Sequence, residues 1–129
     1  MNNFVIDASA WVEYFSGTEA GERVKSIVES NNNVIYTNII TIAELSCHFK
    51  RKKVMFSEAR KVIISLSAIY YPDLAFADEI GELYLQMRGL NKKISLADVF
   101  IILTAKKIGA KIVTGDYYFK ILKEVILIK

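Results

Sequence analysis

The chain opens on Phe4-Val5-Ile6, an unbroken run of apolar, strand-forming residues that predicts a short buried strand closed by Asp7. Ala8-Ser9-Ala10-Trp11 then begins a helical turn. Over 19–29, Ala20, Val24, Ile27 and Val28 recur at helical spacing behind Thr18, a fitting N-cap. Asn31-Asn32-Asn33 marks a turn, and Val34-Ile35-Tyr36 reads as a second strand. The stretch 39–51 is helical by pattern, with Ile39, Ile42, Leu45 and Phe49 on its apolar face. Ser57 is expected to cap a further helix through 67, with Glu58 in the first turn, where the helix dipole favours an acid.

Ile69-Tyr70-Tyr71 reads as a third strand. A helix over 75–88 carries Phe76, Ile80, Leu83, Tyr84 and Met87 on one face and is expected to stop at Gly89. Ser95 opens the next helix, which runs to Gly109. Lys111-Ile112-Val113-Thr114 is a fourth strand, 118–122 a short helix and 125–128 a terminal strand. Strands alternating with helices, with no repeat or Pro/Gly/Ser-rich linker between them, predict one domain over 1–129. The economical arrangement is a three-layer α/β/α sandwich around a central, mostly parallel sheet.

Composition narrows the class. Hydrophobic residues make up 53% of 129, which excludes disorder, and a single proline excludes collagenous material. No apolar stretch reaches the roughly 18 residues needed to span a bilayer. Met1-Asn2-Asn3-Phe4 has neither the basic region nor the Ala-x-Ala site of a signal peptide, so a cytosolic protein is expected. The one cysteine, Cys47, permits neither an internal disulfide nor a cysteine-rich zinc cluster and is expected as a small buried filler. A net charge of +3 says little by itself, because binding depends on where the lysines sit.

Ten of the fourteen acids, Glu13 among them, fall in polar or helix-surface contexts and need no functional account. Four do not. Asp7 ends the first strand and Asp116 follows the fourth, at the carboxyl ends of predicted parallel strands, where open α/β sheets form their ligand crevice. Glu44 lies beside the apolar face of its helix, and Asp98 sits in Leu96-Ala97-Asp98-Val99-Phe100, the most apolar helix of the chain. Each has a plain alternative: helix caps for Asp7 and Asp116, a capping box with Ser95 for Asp98, a lysine-paired rim for Glu44. Gathered in one cleft, however, unpaired carboxylates repel and raise one another's pKa unless a cation neutralises them. Oxygen-only ligation without a His or Cys cluster suits Mg²⁺ or Mn²⁺, and such a site serves phosphodiester hydrolysis.

Val5-Ile6-Asp7-Ala8-Ser9, Ala43-Glu44-Leu45, Leu96-Ala97-Asp98 and Thr114-Gly115-Asp116-Tyr117-Tyr118-Phe119 occur in this order over nearly the whole chain. Together they resemble the four acidic motifs of the PIN-domain nucleases, and most closely those of VapC-type toxins of toxin–antitoxin pairs. The resemblance implies a Mg²⁺- or Mn²⁺-dependent endoribonuclease, commonly dimeric, acting on single-stranded or structured RNA. It also implies a cognate antitoxin that places a basic side chain or segment in the acidic cleft. Asp7, Glu44, Asp98 and Asp116 would form the metal site, with Ser9 and Thr114 orienting a carboxylate or water. Asp98 or Asp116 would assist the metal in activating the attacking water. Val99 departs from the small residue common after the third acid and is expected to narrow the cleft.

For RNA contacts, the basic run Lys50-Arg51-Lys52-Lys53, together with Lys92-Lys93, supplies cations that would offset repulsion by the acids. Tyr117 and Tyr118 are the aromatics best placed to touch a base. His48 is expected as a surface or packing residue, with no spacing that ties it to the acids. The apolar faces over 39–49 and 57–66 exceed what one small sheet covers and suggest a homodimer or antitoxin interface. The other functions in view are an RNA-processing nuclease, a non-catalytic module whose acids are caps, and a receiver-like Mg²⁺ site. The last would need paired acids after the first strand, and Phe4 to Ser9 contains one.

Overall fold

Strand β1 (Asn2–Ile6) alternates its side chains between two cores: Phe4 and Ile6 enter one, Val5 the other. The computed structural model describes residues 2–129. It continues through α1 (Ala8–Ser16), α2 (Glu19–Val28), β2 (Asn33–Asn38), α3 (Ile39–Arg51), α4 (Ser57–Leu66), β3 (Ala68–Tyr70), α5 (Leu74–Leu90), α6 (Leu96–Ile108) and β4 (Lys111–Thr114). A 3₁₀ turn (Tyr117–Ile121) and β5 (Val125–Leu127) complete it.

The five strands form one sheet in the order β3-β2-β1-β4-β5, and every pairing is parallel. Trp11, Val24, Leu45 and Ile63, from α1 to α4, pack with Phe4, Ile6 and Val113 on one face. Phe76, Ile80, Leu83, Ile101 and Ile102, from α5 and α6, pack with Val5 and Ile112 on the other. This is the expected three-layer sandwich, with a sheet that is wholly parallel. The receiver-like reading falls with the strand order, because here β3 lies beyond β2 and β4 pairs with β1, whereas a receiver pairs its third strand with its first. The first three strands run one way, and β4 and β5 lie on the other side of β1. The order therefore reverses between β1 and β4, and a ligand crevice is expected at their carboxyl ends.

Local signals explain most boundaries. Thr18 accepts the Gly21 N–H at 3.0 Å and caps α2, and Asn38 accepts the Ile40 N–H at 2.9 Å and caps α3. Gly17 and Gly109, with φ of 67° and 63°, end α1 and α6 in the left-handed conformation that glycine tolerates. Two expected boundaries shift. Ser57 is the first residue of α4, and Phe56 precedes it without a side-chain cap. Gly89 stays inside α5, which ends at Asn91, where the chain turns extended and its N–H still reaches the Met87 carbonyl. A glycine away from the left-handed region weakens a helix without stopping it. Cys47 is exposed rather than buried, because Leu45 takes the inward position of that turn.

Candidate metal centre at the β1–β4 strand ends

Parallel pairing of Ile6 with Val113 brings the ends of β1 and β4 side by side, and the Asp7 N–H extends the ladder to the Val113 carbonyl at 3.0 Å. Asp7 thus leaves the sheet next to Thr114, Gly115 and Asp116. Asp98 reaches the same point from the first turn of α6. One carboxylate oxygen from each of Asp7, Asp98 and Asp116 lies within 4.8 Å of the other two. They line a cavity of about 370 Å³ together with Glu44, Ser9 and Tyr118. Glu44 enters from α3 but stands outside the tight trio.

Hydrogen bonds fix each acid and leave oxygens free. Asp7 Oδ2 accepts from Ser9 Oγ at 3.0 Å and Thr114 Oγ1 at 2.8 Å. Those hydroxyls in turn accept the Gly115 and Asp116 N–H groups, at 2.9 and 3.0 Å. Each hydroxyl has one proton, so accepting from the backbone aims that proton at Asp7. Asp98 Oδ2 accepts the Ser95 N–H at 2.8 Å, while Ser95 Oγ accepts the Asp98 N–H at 3.1 Å. The capping box is therefore real, yet it occupies one oxygen only. Tyr118 donates to Asp116 Oδ2 at 3.2 Å. Neither Asp7 nor Asp116 makes a side-chain cap bond to the helical turn that follows it.

Burial and mutual repulsion dominate the electrostatics of the acids. Asp7 is 3% exposed and Asp98 5%. Burial first, then the charge of Asp116, pushes Asp7 up to about 8 against the opposing Thr114 hydrogen bond. Glu44 is pushed up to about 7 by burial and the charges of Asp98 and Asp116. Burial also raises Asp98, partly offset by its bonds to Ser95. The Tyr118 hydroxyl is held far above its ordinary value by burial and the neighbouring Asp98 and Asp116, so it remains a donor. Ionised together, these groups are stable only around a cation, and an all-oxygen donor set of this kind suits a hard divalent ion.

Other expectations resolve unevenly. Of the basic run only Arg51 lines the cavity. Lys52 borders a groove with Phe15 and Phe49, and Lys50 and Lys53 border another with Met55 and Phe56. Lys92 and Lys93 are exposed and do not line the cavity. Tyr117 is exposed, its ring 5.1 Å from the Lys120 ammonium, whereas Tyr118 turns inward. Val99 is wholly buried in the α5–α6 core and does not narrow the cleft. His48, expected elsewhere, lines the cavity one turn beyond Glu44, and Glu13, expected on the surface, lines it too. The i, i+4, i+7 spacing of Glu44, His48 and Arg51 was the available signal for one shared helix face.

A larger cavity, about 620 Å³, opens at the opposite end of β1 and β4, with Lys106, Lys111 and Lys123 around Ile102, Ile112 and Leu122. It gathers no group of carboxylates. Chemistry rather than size therefore places the candidate centre at the strand ends.

An α/β protein with a wholly parallel sheet and a cluster of carboxylates at its strand-order switch is the class that fold and site define. The PIN domain model matches residues 4–125, and the chain belongs to the PIN domain family. No curated protein sequence matches it. Among solved structures it is similar to VapBC2 from Rickettsia felis bound to a DNA fragment from their promoter, at 20% identity and a TM-score of 0.74, covering 97% of this chain and 96% of that one. PAE2754 from Pyrobaculum aerophilum aligns at 17% identity and 0.72, covering 98% and 90%. VapC20 from Mycobacterium tuberculosis, a sarcin-ricin loop cleaving toxin, aligns at 13% and 0.68, covering 88% of each chain. Among the described residues no helix is long and apolar enough to cross a membrane.

Proposed function

We propose that this chain is a Mg²⁺- or Mn²⁺-dependent endoribonuclease, the toxin of a toxin–antitoxin pair, which hydrolyses phosphodiester bonds in single-stranded or structured RNA in the cytosol. The observation that carries this reading is the convergence of Asp7, Asp98 and Asp116, two of them buried, within 4.8 Å at adjacent strand ends. Those three would hold the ion, with Glu44 in the same cavity. When bound, such an ion lowers the pKa of a water and offsets charge on phosphate oxygens. Ser9 and Thr114 orient Asp7 through their hydroxyls, and Tyr118 fixes Asp116. Asp98 and Asp116 each have one oxygen held by a donor, and one of the two would take the proton of the attacking water on its free oxygen.

The toxin role is supported by family membership and by the VapBC and VapC character of the structural neighbours. An antitoxin offering a basic side chain would find in this cavity an array of acids to pair with. Met55 and Ile64 are exposed near the α3 and α4 faces, consistent with an apolar surface covered by an antitoxin or a second copy. A homodimer is expected for the free chain in sedimentation, and a strictly monomeric species alone and in complex would remove that interface.

The reading is tested first by Mn²⁺ titration in a calorimeter on wild type and Asp98→Asn, beside cleavage of single-stranded RNA. Wild type is expected to bind Mn²⁺ saturably and to cut RNA, with both lost or strongly weakened in the variant. Circular dichroism should show the variant folded, since the asparagine side chain retains an acceptor for the Ser95 N–H. A well-folded wild type that neither binds Mn²⁺ nor cuts RNA in its presence would sink the proposal.

A further inference from the structure

The same cavity contains a charge pair that the metal reading does not use. Glu13 projects from α1 with its side chain only 16% exposed, and its Oε1 accepts from Thr18 Oγ1 at 2.9 Å. Its Oε2 lies 3.4 Å from the ammonium of Lys129, whose side chain is 58% exposed. Lys129 is not a loose surface lysine. Ile128 before it is buried, donates its N–H to the Thr114 carbonyl at 3.0 Å and accepts the Arg23 guanidinium on its own carbonyl. A Cβ on Gly115 would meet Lys129 Cδ and Ser9 Oγ, both at 3.6 Å, so the lysine stem lies against the strand end that carries Asp116. Anchored backbone on one side and Glu13 on the other deliver an ammonium into the cavity that Asp7, Glu44, Asp98 and Asp116 also line.

As a stabilising ion pair this contact is worth little, because a pair open to water contributes about 0–1 kcal/mol. Its position is more informative. An RNA phosphate approaching these acids meets repulsion that a single divalent ion only partly cancels, and a nearby ammonium offsets the remainder. Lys129 has three N–H donors and, among the described residues, one carboxylate partner, so it has capacity left toward the cavity.

We propose that Lys129 is a phosphate-binding residue of this site, which contacts the RNA backbone beside the scissile bond, and that Glu13 is the positioning residue holding its ammonium there. This inference rests on the ribonuclease reading. Arg51, lining the cavity from α3, would offer a second cation to the same strand.

Two assays on the full chain test it. One is steady-state cleavage of a single-stranded oligoribonucleotide in Mn²⁺. The other is anisotropy of the same labelled oligomer at several salt concentrations, in an Asp98→Asn background that leaves it uncut. Lys129→Gln is expected to raise KM about tenfold, the weight of one charged hydrogen bond, with kcat little changed. It should also flatten the slope of log affinity against log salt by about 0.7, the loss of one phosphate contact on a single strand. Lys129→Arg should restore both readings, and Glu13→Gln should move them part of the way. If wild type cuts RNA but Lys129→Gln leaves KM and slope unchanged, or lowers kcat without rescue by Arg, the inference is overturned alone. If wild type neither cuts nor binds RNA, the ribonuclease reading falls and this one with it.

Discussion

Asp7→Asn is expected to give a protein that is more stable than wild type without metal and inactive with it. The carboxyl of Asp7 is buried and pushed up to about 8, because leaving water and facing Asp116 both penalise its charge. In the unfolded chain it ionises near its ordinary value of 3.8. A folded pKa above the unfolded one means the native state prefers the protonated form. The stabilisation from this group is fully present below about pH 4 and is lost as the pH rises through about 8. Asparagine has the same shape and still accepts from Ser9 and Thr114, but it has no charge to bury. Without metal at pH 8.5, the variant should therefore melt higher by several degrees, a gain on the order of a few kcal/mol, and the gap should narrow toward pH 5. Saturating Mn²⁺ should reverse the order, since only wild type gains from ligand binding. RNA cleavage should fall by about a thousandfold, the loss of several kcal/mol of electrostatic stabilisation. A variant that melts lower than wild type at pH 8.5 without metal would contradict the account of Asp7.

The same penalty explains why Asp7 and Asp98 stand out in the sequence. A carboxylate directly after Phe4-Val5-Ile6, or inside Leu96-Ala97-Asp98-Val99, has no cheap solvated position, so its presence requires a reason. The strands and capped helices were legible because each rests on local chemistry: β-branched runs, Thr18 and Ser95 as caps, Gly17 and Gly109 at left-handed ends. The strand order was not, because pairing β1 with β4 rather than with β3 depends on the packing of all the helices at once.

Residues on the far walls of the cavity were harder to find for different reasons. His48 and Arg51 share a helix face with Glu44, so the periodic signal existed, although on a helix that carries polar residues on several faces it was weak. Lys129 and Glu13 had no local signal at all. One is placed by the pairing of β5 with β4, the other by the packing of α1 against α2, and nothing within a few residues of either encodes that meeting. Cys47, expected inside, lies outside, and Val99, expected at the cleft, lies in the core, each one helical step from the expected position. On a short helix, a 100° turn decides between core and water.

Gly21→Ala is expected to be the most destabilising single-methyl addition among the glycines of this chain. A Cβ at Gly21 would lie 2.1 Å from the Glu13 carbonyl oxygen, 2.7 Å from its carbon and 3.2 Å from Tyr14 Cα, all backbone atoms. No rotamer change relieves a backbone clash, so α2 must lift away from α1. Doing so pulls Thr18 Oγ1 away from the Glu13 carbonyl and carboxylate to which it donates, and it opens the core cluster that Val24 shares with Trp11 and Ile6. Overpacking of this kind costs about 3 kcal/mol, which for a chain of this size lowers Tm by roughly 10 °C. Gly81 provides the contrast. It too lies within a helix, but a Cβ there meets nothing within 4 Å, so Gly81→Ala should stabilise by about 0.5–1 kcal/mol. Because α1 also carries Glu13, the surviving folded fraction of Gly21→Ala should show a raised KM for RNA, with metal affinity changed less than substrate affinity. Equal melting temperatures for Gly21→Ala and wild type would mean that α1 and α2 do not approach as closely as this packing requires.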